Sequence, residues 1–175
     1  MHSPSHQAPP PLGALKHLIY RQRYPGDPAN VARARHRLAG AADLAGLDAD
    51  LAETALVCLS ELTTNAVVHA QLPFNVMVSI GGQRRRYLQV GVHDTDEDHL
   101  PHLPSNRDDA EEYLDDLSYE QETGLRGLAM VVMLADRSGV ESDVNGKTVW
   151  FRLYLDRKGV ADVPGPREGA ASFLR

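Results

Sequence analysis

Apolar residues recur at helical spacing in three stretches of the chain. The first starts at Asp27-Pro28, a capping residue followed by a first-turn proline, and predicts a helix to about Ala45. The second predicts a helix from about residue 50 to His69, with one apolar stripe formed by Leu51, Ala55, Leu59, Leu62 and Ala66. The third, GLRGLAMVVMLAD, predicts an apolar helix that opens directly after a glycine.

Other stretches alternate between apolar and polar residues, which is the period of a strand with one buried face. HLIYRQRYP, FNVMVSI and YLQVGVHD predict an edge strand and two further strands, and GVESDV and KTVWFRLYL predict a hairpin around Asn145-Gly146. In YLQVGVHD, the period puts Asp94 on the same face as three apolar residues. A carboxylate on a buried face needs a partner, so the alternative is that the strand ends early and Asp94 lies in a turn.

These elements do not alternate one strand to one helix, which argues against a Rossmann-type parallel sheet. They predict an α+β fold, a two-layer sandwich with a mixed, mostly antiparallel sheet and helices on one face. One domain is expected over residues 17–155, between a disordered segment at 1–16 and a flexible tail at 156–175. The segment of about 95–122 holds no long apolar pattern and predicts a lid, within which AEEYLDDL forms a short surface helix.

Negative charge is concentrated in that lid. Residues 95–122 include eleven acidic residues and one arginine, whereas the whole chain of 175 residues has a net charge of −6. A nucleic-acid-binding protein would show the reverse, a clustered basic face, so no direct nucleic-acid partner is expected. The single cysteine excludes an internal disulfide, and there is neither a signal pattern nor a run near the ~20 apolar residues of a membrane span. These features predict a soluble, cytoplasmic protein.

Two polar residues on the second helix are candidates for chemistry. Glu61 and Asn65 are four residues apart, so they are neighbours on one flank of the apolar stripe. A carboxylate beside an amide oxygen suits a hard cation or the orientation of a nucleophile. The alternative is an ordinary solvated helix edge, and the spacing by itself leaves that alternative open.

The third helix begins with two glycines that flank Leu125-Arg126. Gly124 and Gly127 would let the backbone approach a ligand closely, and the first-turn N–H groups of a helix favour an anion. Arg126 adds a guanidinium suited to phosphate. The pattern lacks the Gly-Lys-Ser/Thr of a P-loop, and its alternative is a turn that precedes a core helix.

Taken together, five stretches resemble the GHKL (Bergerat-type) ATP-binding domain shared by gyrase, Hsp90, histidine kinases and anti-sigma-factor kinases. The stretches are YPGDPANVARAR, LVCLSELTTNAVVHA, LQVGVHD, GLRGLAMVVMLADRSGV and GKTVWFRL. They span about residues 18–155 and are most similar to the anti-sigma-factor serine/threonine kinases of actinomycete bacteria.

The resemblance implies a role for each matching position. Glu61 would be the general base, Asn65 would coordinate Mg²⁺ on the phosphates of ATP, and Asp94 would hydrogen-bond the adenine amino group. The glycine box over the phosphates would comprise Gly124, Arg126, Gly127 and Leu128. Thr148 would assist adenine binding from the last hairpin, and His69, although common in the group, would only hydrogen-bond locally.

The implied function is phosphorylation of a serine on a protein partner, an anti-sigma antagonist, with control of a sigma factor and frequent homodimerisation. The sequence departs from the family at Asp96, where a glycine is usual two positions after the aspartate. This departure favours an alternative, a binding module that senses nucleotide or has lost it and acts by sequestering its partner. A further alternative is a detached histidine-kinase catalytic domain that acts in trans.

Overall fold

The alternating stretches form one five-stranded sheet in the computed structural model, which describes residues 17–70, 72–82, 85–96, 101–115 and 124–156. Of residues 69, 70 and 143 only the backbone is described. The strands are β1 (His17–Tyr24), β2 (Phe74–Gly81), β3 (Tyr87–Asp94), β4 (Arg137–Asp143) and β5 (Gly146–Tyr154). The helices are α1 (Ala29–Leu44), α2 (Ala49–Asn65), α3 (Arg107–Asp115) and α4 (Leu125–Leu134). The predicted N-terminal segment at 1–16 and all but residue 156 of the predicted tail lie outside the described residues.

The strand order in the sheet is β1-β2-β3-β5-β4. Each of these four pairings is antiparallel, so the described sheet contains no parallel pair and is simpler than the mixed sheet that was predicted. β1 lies at an edge, as its pattern indicates. The α+β class and the two-layer sandwich with helices on one face, predicted from the sequence, are confirmed.

The buried face of the sheet follows the period of two. On β3 and β5, the cross-strand pairs Val92–Val149, Val90–Phe151 and Leu88–Leu153 are all buried. They join one apolar cluster with residues of α1, α2 and α4, such as Leu38, Leu59, Leu62, Leu128 and Val131. Because one cluster holds residues of three helices and the sheet, these helices share one face of the sheet.

Helix α2 begins directly after Asp48 and ends earlier than predicted. The Asp48 carboxylate accepts a hydrogen bond from the Leu51 N–H at 2.8 Å, which is an N-cap. The α-helix stops at Asn65, and the chain continues to Ala70 as a π-helical turn. Two residues before that point, the buried Thr63 hydroxyl donates to the Leu59 carbonyl at 2.8 Å. Such back-bonding competes with the regular helix ladder and bends it, and single π-helical turns are frequent at functional sites.

The hairpin between β4 and β5 turns one residue earlier than the sequence indicates. Asp143 pairs with Gly146, so Val144 and Asn145 form the two-residue loop. Gly146 has a φ of +128°, and a Cβ at this position would collide with the Asp94 carbonyl oxygen. The glycine therefore lets the start of β5 approach the end of β3 closely.

Part of the predicted lid is helical and packs on the domain. The structure describes residues 95–96 and 101–115 of this segment. Helix α3 begins at Arg107, three residues before the predicted start, because the Asn106 side chain accepts from the Asp109 N–H at 2.9 Å. Ala110 is fully buried, and Arg107 donates to the Ala135 carbonyl at 3.3 Å. A movable lid remains a prediction.

One helical run is long and apolar enough to cross a membrane by length and composition alone. It is Ala49–Val68, with a mean hydropathy of 1.2 over its best window, and it corrects the expectation that no segment comes near that limit. The run contains the core face of α2, where Ala55, Cys58 and Leu59 are fully buried. A core helix passes the same test, so the run is weak evidence for a membrane span.

Candidate functional site

The helix pair α2 and α4 brings two of the predicted site residues into contact. Gly127 lies in the first turns of α4 and faces Glu61, since a Cβ at position 127 would collide with the Glu61 carboxylate oxygen Oε2. Any other residue at 127 would therefore displace the carboxylate or push the helices apart. The glycine shapes the surroundings of Glu61 through the absence of its side chain.

The Glu61 carboxyl group is half-buried, and this burial raises its pKa above the usual value of 4.5. Loss of hydration disfavours the charged form of a carboxyl group. A carboxylate with a raised pKa is a stronger proton acceptor, and bases whose pKa lies closer to neutral pH are more effective in general base catalysis. The environment of Glu61 thus suits the role of a base.

Asn65 connects the end of α2 to the start of α4. Its Nδ2 donates to the Gly124 carbonyl oxygen at 3.4 Å, and the Leu128 N–H donates to the same oxygen at 3.1 Å. Gly124 precedes α4 with a φ of +117°, a conformation that favours glycine. Because Asn65 donates through its nitrogen, Oδ1 is the atom of this amide that suits a cation.

The start of α4 can hold an anion. The N–H groups of a first helical turn have no partner within the helix, and the helix dipole adds a partial positive charge there. Arg126 is exposed at the second residue of the helix. Leu128 is only 3% exposed and belongs to the core, so its side chain anchors α4, and only its backbone belongs to the predicted glycine box.

The predicted adenine-binding residue, Asp94, lies on the buried face at the end of β3, as the period of two predicts. It is 3% exposed, and its Oδ1 lies 2.8 Å from the Nζ of Lys147. The same oxygen accepts the Asp96 N–H at 3.0 Å. The partner that a buried carboxylate requires is therefore a lysine of β5, a residue that the sequence analysis missed.

Thr148 does not lie beside Asp94 in the sheet. In the register of β3 and β5, Lys147 is opposite Asp94 and Thr148 is opposite His93. Successive side chains of a strand point to opposite faces, so Thr148 lies on the face away from the helices, and its Cγ2 is near Gly91. Lys147 is therefore the residue of β5 that lies beside the Asp94 carboxylate, and the role of Thr148 in adenine binding stays a prediction.

The helix residues Glu61 and Asn65 and the sheet residues Asp94 and Lys147 border the same seam between the helices and the sheet. The strand β3 packs against both α2 and the π-helical turn that follows Asn65. The fit to ATP rests on three features of this seam: the glycine cradle of α4, the half-buried Glu61 and the buried Asp94. Within the described ranges, no three His, Cys, Asp or Glu side chains cluster as a metal site. Asn65 would hold Mg²⁺ together with the phosphates, as the resemblance implies. The side chain of His69 lies outside the described part of the chain.

The described part of the chain combines a five-stranded antiparallel sheet with helices on one of its faces. A family model for the histidine kinase-like ATPase domain matches residues 24–153. The chain therefore belongs to the histidine kinase-like ATPase family, and this family implies ATP binding.

No curated protein matches the sequence. Among solved structures, twelve chains match. One of them is a chain in the crystal structure of the SiaB–SiaC complex from Pseudomonas aeruginosa, with 11% sequence identity and a TM-score of 0.46. The match covers 78% of this chain and 90% of that chain, and a likeness at this level carries no argument about function.

Proposed function

We propose that this protein is an ATP-binding regulator of the anti-sigma-factor kinase type, which phosphorylates a serine of a protein partner with Mg-ATP. The contact between Glu61 and Gly127 is the observation that carries the proposal. It places a carboxyl group with a raised pKa beside the glycine-opened start of α4, where phosphates would bind. A base and a phosphate site are thus adjacent.

The chemistry assigns one step to each group. The Glu61 carboxylate accepts the proton of the serine hydroxyl, the serine oxygen forms a bond to the γ-phosphorus, and ADP leaves with the electrons of the broken P–O bond. Arg126 and the first-turn N–H groups of α4 would bind the phosphate oxygens, and Asn65 would hold Mg²⁺ through Oδ1. Phosphoryl transfer depends chiefly on such positioning and charge neutralisation.

Asp94 serves the other end of the nucleotide. Its carboxylate accepts a hydrogen bond from the adenine amino group, as the family resemblance implies. Its burial excludes water from this contact, and polar contacts are stronger where water is excluded. The phosphoserine that is produced switches partner binding through added charge. The partner, an antagonist protein or a sigma factor, acts in the cytoplasm under this proposal.

Titration with ATP, with and without Mg²⁺, tests the binding step. Wild-type protein is expected to bind ATP at concentrations up to about 1 mM, and Asn65→Ala is expected to lose the dependence on Mg²⁺. Absence of ATP binding by the wild type at that concentration would refute the proposal. Transfer of labelled phosphate to a candidate antagonist then tests the kinase step.

A second candidate function is a binding module that senses nucleotide without transferring phosphate. It is favoured by the sheet end of the site, where Asp94 is engaged by Lys147 and where Asp96 replaces the usual glycine. This module would bind ATP or its partner and leave the partner unphosphorylated. ATP binding without transfer to any antagonist separates it from the kinase.

A further inference from the structure

Lys147 is buried among three oxygen atoms of the β3 end. Its Nζ lies 2.8 Å from Asp94 Oδ1, donates to the Asp96 carbonyl oxygen at 2.9 Å, and lies 3.4 Å from Asp96 Oδ2. Lysine has three N–H donors, which is the number of these acceptors. Lys147 is only 6% exposed, so these contacts are buried and differ from a surface ion pair.

The same contacts account for the departure of Asp96 from the family pattern. Without Lys147, the carboxylates of Asp94 and Asp96 would lie close together with two negative charges. With the ammonium between them, the group carries one net negative charge, as a single aspartate would. The Asp96 N–H also donates a hydrogen bond to Asp94 Oδ1 at 3.0 Å. The two residues after β3 are therefore tied to the carboxylate that would contact adenine.

We propose that Lys147 is a positioning residue that sets the selectivity of the ATP site for adenine over other nucleobases. It engages Oδ1 of Asp94 and cancels the charge of Asp96, so that a single carboxylate oxygen, Oδ2, is presented to the amino group of adenine. It also ties Asp94-Thr95-Asp96 to β5. This inference rests on the ATP binding proposed above.

The test compares nucleotide affinities of wild type and Lys147→Met. The probes are ATP, inosine triphosphate, which carries a carbonyl oxygen in place of the amino group, and inorganic tripolyphosphate, which has no base. Lys147→Met is expected to weaken ATP binding about tenfold, which corresponds to about 1.4 kcal/mol. Its preference for ATP over inosine triphosphate should shrink, while tripolyphosphate binds with unchanged affinity because the helix end is intact.

The double variant Asp96→Asn/Lys147→Met is the matched control. It removes the ammonium together with the extra carboxylate, so it restores one net negative charge and should recover most of the lost ATP affinity. A purely structural role for Lys147 would lower all three affinities together and would give no recovery in the double variant.

The outcomes separate this inference from the proposed function. If wild type binds ATP and Lys147→Met keeps the same affinity and selectivity, the inference is wrong and the proposed function stands. If wild type binds no ATP, both fall. If Lys147→Met does not fold, the double variant decides: a folded double variant with wild-type selectivity supports the inference, and an unfolded one shows that Lys147 acts only in stability.

Discussion

The helix end and the sheet end of the candidate ATP site treat a carboxylate in opposite ways. At the helix end, Glu61 lies against Gly127, and burial raises its pKa. At the sheet end, Asp94 is more deeply buried and is paired with the Lys147 ammonium. The first arrangement suits a group that takes up a proton during a reaction, and the second, in which an ammonium holds the carboxylate, suits a group that binds a ligand. Burial alone therefore does not identify a base, because the partner decides the chemistry.

The largest effect is expected from removing the proton acceptor at the helix end. Glu61→Gln keeps the shape of the side chain and should lower phosphoryl transfer by about 10² to 10⁴-fold, the usual contribution of a general base. ATP affinity should change little, because the contacts to the phosphates and to adenine remain. Transfer of labelled phosphate to the antagonist at saturating ATP measures this effect. Glu53→Gln, an exposed position on the same helix, is the control, and equal rates for both variants would remove Glu61 from its role.

At the sheet end, the corresponding change should act on stability more strongly than on chemistry. Lys147→Met leaves the buried Asp94 carboxylate without its ammonium, and breaking a buried pair in this way costs about 3 to 5 kcal/mol. Urea unfolding measures the loss. The exposed Arg21→Met on the edge strand β1 is the control, with a change within about 0.5 kcal/mol. A similar small loss for Lys147→Met would mean that the pair contributes little, and the contrast between the two ends would fail.

A third change tests whether the glycine at the helix end acts through space. Gly127→Ala places a Cβ against the Glu61 carboxylate, which is the far end of a flexible side chain and should swing aside, so this variant should gain less stability than the usual alanine preference of about 0.5 to 1 kcal/mol. Gly40→Ala in α1 meets no atom within 4 Å and should stabilise the fold by about 0.5 to 1 kcal/mol, the helix preference of alanine. Thermal unfolding of both variants checks the pair. Equal stabilisation of the two proteins would show that Gly127 is not needed for the approach of α4 to Glu61.

The sequence predicted the helix end better than the sheet end. The reason is that the helix-end neighbours are close in the chain, whereas the sheet-end partners are far apart in it. The spacing of Glu61 and Asn65 lies within one helix, so the backbone alone makes them neighbours. The burial of Asp94 also follows from one strand. Pairing of Asp94 with Lys147 depends on the register between strands that lie about fifty residues apart in the chain. That register also places Thr148 on the face away from the helices, so the Asp94–Lys147 contact and the placement of Thr148 have one cause.

The end of α2 shows a second limit. Over the five residues of the π-helical turn, an apolar pattern distinguishes poorly between a regular helix and a slightly wider one. The prediction therefore extended the helix to His69. The side-chain hydrogen bond of Thr63 to Leu59 marks the change, and Ser and Thr are known to bend helices through such bonds, so a buried Thr63 was the available signal.

The smallest effect, and the finest test of the comparison, is the pH dependence of stability at the helix end. The folded pKa of Glu61 is raised, so the folded state binds this proton more tightly than the unfolded chain does. The resulting stabilisation is fully present below the usual value of 4.5 and is lost as pH rises through the folded pKa. Glu61→Gln has no such proton to lose. The free energy of unfolding of this variant minus that of wild type should therefore increase as pH rises above 4.5 and then level off. Because solvent screens a half-buried group, the difference should be smaller than the effects above.

Urea unfolding of both proteins from about pH 4 to about pH 8 measures this difference, since all other titrating groups are common to the pair. Glu53→Gln, at the exposed position, should follow wild type throughout. A curve for Glu61→Gln that runs parallel to wild type would mean that the Glu61 carboxyl group is no more desolvated than a surface carboxylate. The helix end would then lose the property that distinguishes it from the sheet end, and Glu61 would have no better claim to act as a base than Asp94.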